Sequence, residues 1–197
     1  MPDSRIPEDP VAELLQVLKL KDSGENSFQG TTQWMPGGRV FGGQVLAQSL
    51  VAASATVDQD RRVHSLHSYF LRPGALDVPI DFEVDILRDG RSFSARRVQA
   101  SQESKVIFSM IASFQIPTDG VEHADKMPTG VSEPETLPSA KDLLGSFDHP
   151  VARYWANARP FDLRHEAESV YLKPAANKSN EQAVWFKPVS ELKIDGP

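Results

Sequence analysis

The chain opens on a short amphipathic segment. Val11, Leu14, Leu15 and Leu18 recur at helical spacing, Asp9 stands where an N-cap is needed, and Pro10 suits the first helical position. This predicts a first helix, closed off before Gly24, and a first strand from Asn26 to Trp34. A glycine-rich loop, Pro36-Gly37-Gly38 through Gly42-Gly43, leads into GQVLAQSLVAASATV, Gly43 to Val57. Its Ala, Leu, Gln and Ser favour helix, with Leu46, Leu50 and Ala53 marking one side. The small residues Ala47, Ser49, Ala52 and Ala53 allow that helix to sit close against a sheet.

After the helix the period changes to two. Val63 to Leu71 reads as a strand, and in PIDFEVDIL the residues Ile80, Phe82, Val84 and Ile86 point one way while Asp81, Glu83 and Asp85 point the other. Asp89-Gly90 is a strong hairpin signal, followed by a returning strand from Ser92 to Ser101 and a turn at Glu103 to Lys105. VIFSMIASFQ is apolar on both faces, as a central strand is. The order predicts an α+β fold in which an antiparallel meander wraps around one long helix.

From Ile116 to Ala140 the composition shifts. Pro117, Pro128, Pro134 and Pro138 with Asp119, Glu122, Asp125, Glu133 and Glu135 read as an exposed linker. A helical stretch near Leu143 to Ala158, interrupted around His149-Pro150, precedes strand-like pieces at Phe161 to Leu172 and Ala183 to Val189. An isolated two-stranded hairpin is marginal in water, so this tail is expected to pack poorly or to borrow another sheet edge.

Composition narrows the possibilities. Apolar residues make up 40% and charged residues 24% of 197 residues, ordinary usage for a globular protein. No stretch approaches the ~20 apolar residues of a membrane span, and the N-terminus lacks the pattern of a secretory signal. A net charge of −6 opposes nonspecific nucleic-acid binding. With no cysteine there is no disulfide, thiolate nucleophile or Cys-based zinc site, which fits a reducing, cytoplasmic setting.

The segments VFGGQVLAQSLVAA, RRVHSLHSYFLRPG, LRDGRSFSARRVQASQ and IFSMIASFQ, colinear and compatibly spaced, resemble the acyl-CoA thioesterase II family. EHADKMP is a further match, and RPFDLR and QAVWFKP resemble the opening strands of that family's second half. The resemblance implies two hot-dog folds in one chain, each a curled antiparallel sheet around a long helix, hydrolysing fatty acyl-CoA to free acid and CoA without a cofactor. It divides this chain into an N-terminal hot-dog domain at 1–116, a Pro-rich acidic linker at 117–140, and the helix and opening strands of a truncated second hot-dog at 141–197. The family's Asp, Thr or Ser, and Gln, which hold the attacking water, belong to the second hot-dog. They would lie beyond Pro197, so no catalytic residue is assigned here. The rival expectation is a non-catalytic hot-dog module that binds acyl-CoA or associates with another subunit. A homo-oligomer or a partner hot-dog is expected by analogy.

Thioester hydrolysis needs an activated water and a donor to the developing oxyanion. Gly42-Gly43-Gln44, opening the long helix, is the donor candidate, because free N–H groups and the positive dipole end gather there. The plain alternative is that the glycines only make the loop-to-helix turn. His67 is the remaining candidate for the substrate cleft, against a hydrogen-bonded core or interface role. His64 and His67 are badly spaced for a metal, since strand residues three apart face opposite sides, and no metal is assigned. No G-x-S-x-G elbow or phosphate-cradling P-loop occurs. Arg72, Arg88, Arg91, Arg96 and Arg97 form the densest basic group, with CoA phosphates as a candidate ligand and a solvated surface as the default; Arg96 and Arg97 alternate faces. Asp81, Glu83 and Asp85 read as a solvated strand face.

Overall fold

The structure, a computed structural model, describes residues 6–167 and 180–192. It divides into two units, one formed by residues 15–121 and the other by residues up to 14 together with those from 122 onward.

Helix α1, Pro10–Leu18, begins as its sequence predicts, with Asp9 Oδ1 accepting from the N–H groups of Val11 at 2.9 Å and Ala12 at 3.2 Å. The expected strand from Asn26 to Trp34 is corrected to a small hairpin, β1 (Lys21–Gly24) and β2 (Ser27–Gly30). Asn26, at φ 53°, makes its turn, a conformation that Asn tolerates better than most residues.

In the first unit α2 (Gly42–Ser54) packs against β3 (Arg62–Phe70), β4 (Ile80–Asp89), β5 (Phe93–Gln102) and β6 (Lys105–Gln115). The six-stranded sheet has the order β1-β2-β4-β5-β6-β3, and all its pairings are antiparallel. Alternation decides what faces the helix. Ile80, Phe82 and Val84 of β4, Val98 and Ala100 of β5, and Phe108, Met110, Ala112 and Phe114 of β6 are all buried. Glu103 and Ser104, both with positive φ, form the two-residue turn between β5 and β6. Ile86 was expected on the inner face, yet it is 49% exposed, where the β4–β5 register shifts.

The helix face also differs from its apolar pattern. Gln44, Val45, Gln48, Ser49, Ala52 and Ala53 are its buried residues, while Leu46 and Leu50 pack only at the margin of the core. The gain is close approach, since small and hydrogen-bonded residues occupy the contact. Gln48, fully buried, donates to the carbonyls of Val17 at 2.9 Å and Thr31 at 3.0 Å and accepts from Gln44 at 3.2 Å.

In the second unit α3 (Ala140–Leu144) and α4 (Pro150–Asn157) are separated at the expected break, where His149 caps α4 and Pro150 takes its first turn. Strands β7 (Phe161–His165) and β8 (Val184–Pro188) form a two-stranded antiparallel sheet. Residues 168–172 of the expected longer strand lie outside the described residues. The last third of the expected linker is tied to this hairpin. Glu166 accepts from the N–H and hydroxyl of Ser132, Arg164 donates to the carbonyls of Pro134 and Leu137, and Trp185 donates to that of Ser132. These bonds supply part of the support that a bare hairpin lacks. Phe186 stays 73% exposed all the same.

Candidate functional site

Two stretches of chain meet at the start of α2. The Val40 N–H donates to the Gly74 carbonyl at 3.0 Å, and Arg39 bridges to Ala75. Below them β3 ends, and the N–H groups of Leu71 and Arg72 both donate to the Ile107 carbonyl. Gln102, almost fully buried, fixes the returning loop by accepting from the Ala75 N–H and donating to the carbonyls of Ala75 and Val78. An open cleft of about 430 Å³ results, walled by Val40, Val45, Phe70, Leu71, Ile107 and Phe108, with Arg39 and Arg72 at its edge.

Gly42 lies in the cleft wall. A Cβ on it would meet Phe70 Cε1 at 2.8 Å, and one on Gly43 would meet Phe41 Cε1 at 2.4 Å. The two rings thus close on backbone that a side chain would displace, which is a stronger reason for glycine than the turn alone. Phe41 occupies the N-cap without a capping side chain, so the first N–H groups of α2 carry no side-chain acceptor. An oxygen atom presented there would meet free donors and the positive end of the helix.

The structure does not bring Gln44 and His67 to this cleft. Gln44 is 5% exposed and its amide is engaged, accepting from the Gln33 N–H and donating to the Thr31 carbonyl and Gln48. His67 is exposed on β3, opposite Ile111, with its ring edge-on to Tyr69 at 4.9 Å. The spacing argument for the two histidines is corrected. A bulge at His64, between the pairs Val63↔Phe114 and Ser65↔Ser113, turns both to the outer face, where His64 Nε2 is 2.9 Å from Ser113 Oγ. Among the described residues no group of three or more His, Asp or Glu is placed to hold a metal ion.

The arginine cluster separates by role. Arg97 forms an exposed ion pair with Asp85 at 2.8 Å. Arg96 overturns the default of a solvated surface: it is 2% exposed and donates to Thr56 Oγ1 and O, the carbonyls of Arg88 and Ala95, and Asp89 Oδ1. The chain leaves α2 beside it, and the guanidinium supplies donors to Thr56, just past the helix C-cap. Alternation alone identified opposite faces for Arg96 and Arg97 but not which face the helix would cover.

Residues 31–115, from the end of β2 to the end of β6, match the acyl-CoA thioesterase N-terminal domain family. Over 95% of this chain, 38% of residues are identical to acyl-CoA thioesterase 2 of Haemophilus influenzae, of which 66% is covered. The chain belongs to the acyl-CoA thioesterase family. Within it, the acyl-CoA thioesterase II TesB2 of Mycobacterium marinum is 37% identical with a TM-score of 0.71, covering 92% of this chain and 62% of that one. A conserved protein of unknown function from Alicyclobacillus acidocaldarius, 18% identical with a TM-score of 0.73, covers 90% of this chain and 62% of its own, and shares the hot-dog fold. The acyl-CoA thioesterase family fold is therefore the one seen here, a curled antiparallel sheet around α2. This chain spans less than two thirds of the length of these relatives.

Proposed function

We propose that this chain forms the acyl-CoA-binding first part of a thioesterase that hydrolyses fatty acyl-CoA to free fatty acid and CoA. The observation that carries this reading is the open cleft of about 430 Å³, with apolar walls and two arginines in its lining, laid against the uncapped start of α2. An acyl chain fits the Val40, Val45, Ile107 and Phe108 walls, and the thioester oxygen accepts from the N–H groups at Gly42 and Gly43. None of the residues lining the cleft is a general base. In this reading the water is activated by groups outside the cleft lining, with another hot-dog as their source.

Among the described residues the outer edge of β3 is unpaired, which leaves it open to another hot-dog. β3 is the last strand of its sheet and exposes Val63, Leu66, Tyr69 and Phe70. Among the described residues no helix is long and apolar enough to cross a membrane. A cytoplasmic location agrees with the cysteine-free sequence.

Release of free CoA from a medium-chain acyl-CoA, followed with a thiol reagent, tests the reading beside direct titration of the same ligand. The 197-residue chain alone is expected to bind the ester and to leave it intact. Turnover by this chain would place the water-activating group within it, and absence of binding would overturn the reading.

A further inference from the structure

At the opposite end of α2 from the acyl cleft, the β4–β5 hairpin gathers five guanidinium groups, those of Arg61, Arg88, Arg91, Arg96 and Arg97, and three carboxylates, those of Asp58, Asp85 and Asp89. The carboxylates are all taken. Asp58 lies 3.6 Å from Arg61 Nε, Asp85 is 2.8 Å from Arg97, and Asp89 is 2.8 Å from Arg96. Arg88 and Arg91 are left, both exposed and both without a carboxylate partner among the described residues.

These two unpaired cations line the same open cleft, of about 470 Å³, together with Gly90, Ser92, Phe93 and Ser113. Their surroundings are rigid. The Gly90 N–H donates to the Phe93 carbonyl at 2.8 Å, and Arg61 reaches behind the turn to donate to the Gly90 carbonyl at 3.1 Å and Ser94 Oγ at 3.0 Å. The Arg88 guanidinium lies over Gly90, where a Cβ would be 3.3 Å from its Nε. Phe93 is 46% exposed and held edge-on by His64 at 5.8 Å. A chain of net charge −6 thus keeps a local surplus of positive charge beside an accessible aromatic ring.

We infer that this cleft is a phosphate-recognition site for a nucleotide, with Arg88 and Arg91 on the phosphate and the Phe93 ring against the base. Guanidinium groups match phosphate oxygens in fork geometry, and an aromatic face accepts any base by stacking. The inference rests on the acyl-CoA reading only for which nucleotide is meant, the phosphorylated adenosine end of CoA. The cleft itself follows from the charge pairing.

Adenosine 3′,5′-bisphosphate, adenosine and inorganic phosphate are titrated separately into the full chain by calorimetry, with amide NMR shifts to locate binding. The bisphosphate is expected to move the Gly90 to Ser94 amides, and the Arg88→Ala and Arg91→Ala variants together to weaken it by about tenfold or more, with Arg→Lys recovering part of the loss. Both side chains are exposed, so unchanged melting temperatures check that the variants fold. Inorganic phosphate binding as tightly as the bisphosphate would overturn the nucleotide part, and no shift at the hairpin would overturn the site. Bisphosphate binding here in a protein that never binds or hydrolyses an acyl-CoA would sink the thioesterase reading and leave this site standing.

Discussion

The Arg96 guanidinium holds Thr56 at two points, Nε on Oγ1 at 2.9 Å and Nη2 on the carbonyl at 2.8 Å, which joins the middle of the sheet to the chain just beyond α2. A third bond from the same group reaches Asp89 at 2.8 Å, so one side chain ties the helix end to the β4–β5 hairpin. The position of α2 along the sheet, and with it the position of its free start, depends on this anchor.

Replacing Arg96 should therefore unfold the first unit readily. Arg96→Met strands the Thr56 carbonyl and leaves Asp89 without its cation, at a cost of about 3 kcal/mol. Arg96→Lys should recover only a fraction, because one ammonium cannot reach acceptors arranged for a planar fork. Urea unfolding compared with the parent chain measures both, and a change below about 1 kcal/mol for Arg96→Met would contradict the anchoring role.

The same network sets an acid sensitivity. The Ser94 hydroxyl first, and then Arg96, hold the Asp89 carboxyl below the usual carboxylate range. A depressed folded-state pKa contributes stability that is complete above the unfolded value, about 3.9, and is lost as pH falls through the folded value. Urea midpoints should decline on going from pH 5 toward pH 2, and Asp89→Asn should be less stable at pH 5 with a shallower decline. Parallel curves for the two proteins would remove Asp89 from the account.

Gln48 tests the polar helix contact. Gln48→Leu fits the volume but leaves the Val17 carbonyl without its side-chain donor, and it reduces the Thr31 carbonyl and the Gln44 amide to the bond they make with each other. The expected loss is about 2–3 kcal/mol, read as a lowered thermal midpoint. An unchanged midpoint would mean that water replaces all three bonds.

Gly42 separates folding from binding. In Gly42→Ala the new methyl meets the Phe70 ring, which packs on Phe108 but is 58% exposed and can give way, so stability should change by no more than about 1 kcal/mol. The displaced ring narrows the cleft, and affinity for a medium-chain acyl-CoA should fall about tenfold. Full affinity with an unaltered melting curve would place the acyl chain somewhere other than beside Phe70.

Local rules made much of this protein legible. Period-two alternation in Ile80, Phe82 and Val84 fixed the inner face of β4, Asp9 and Pro10 marked the start of α1, and Asp89-Gly90 and Glu103-Ser104 marked the tight turns of an antiparallel meander. Each depends on neighbours in the chain, so each is written in short stretches of sequence. The glycines at Gly42 and Gly43 were visible as a helix start, but the rings that press on them were not.

Tertiary structure alone decided where the polar groups went. A bulge of one residue at His64 brought both histidines to one face, and Gln44, a candidate for the substrate site, became with Gln48 a buried tie. Arg96 found Thr56 across 40 residues of sequence, a partner no local period can name. A buried hydrogen-bonding group must be satisfied by whatever the fold brings within about 3 Å, and that distance is set by how the helix settles on the sheet.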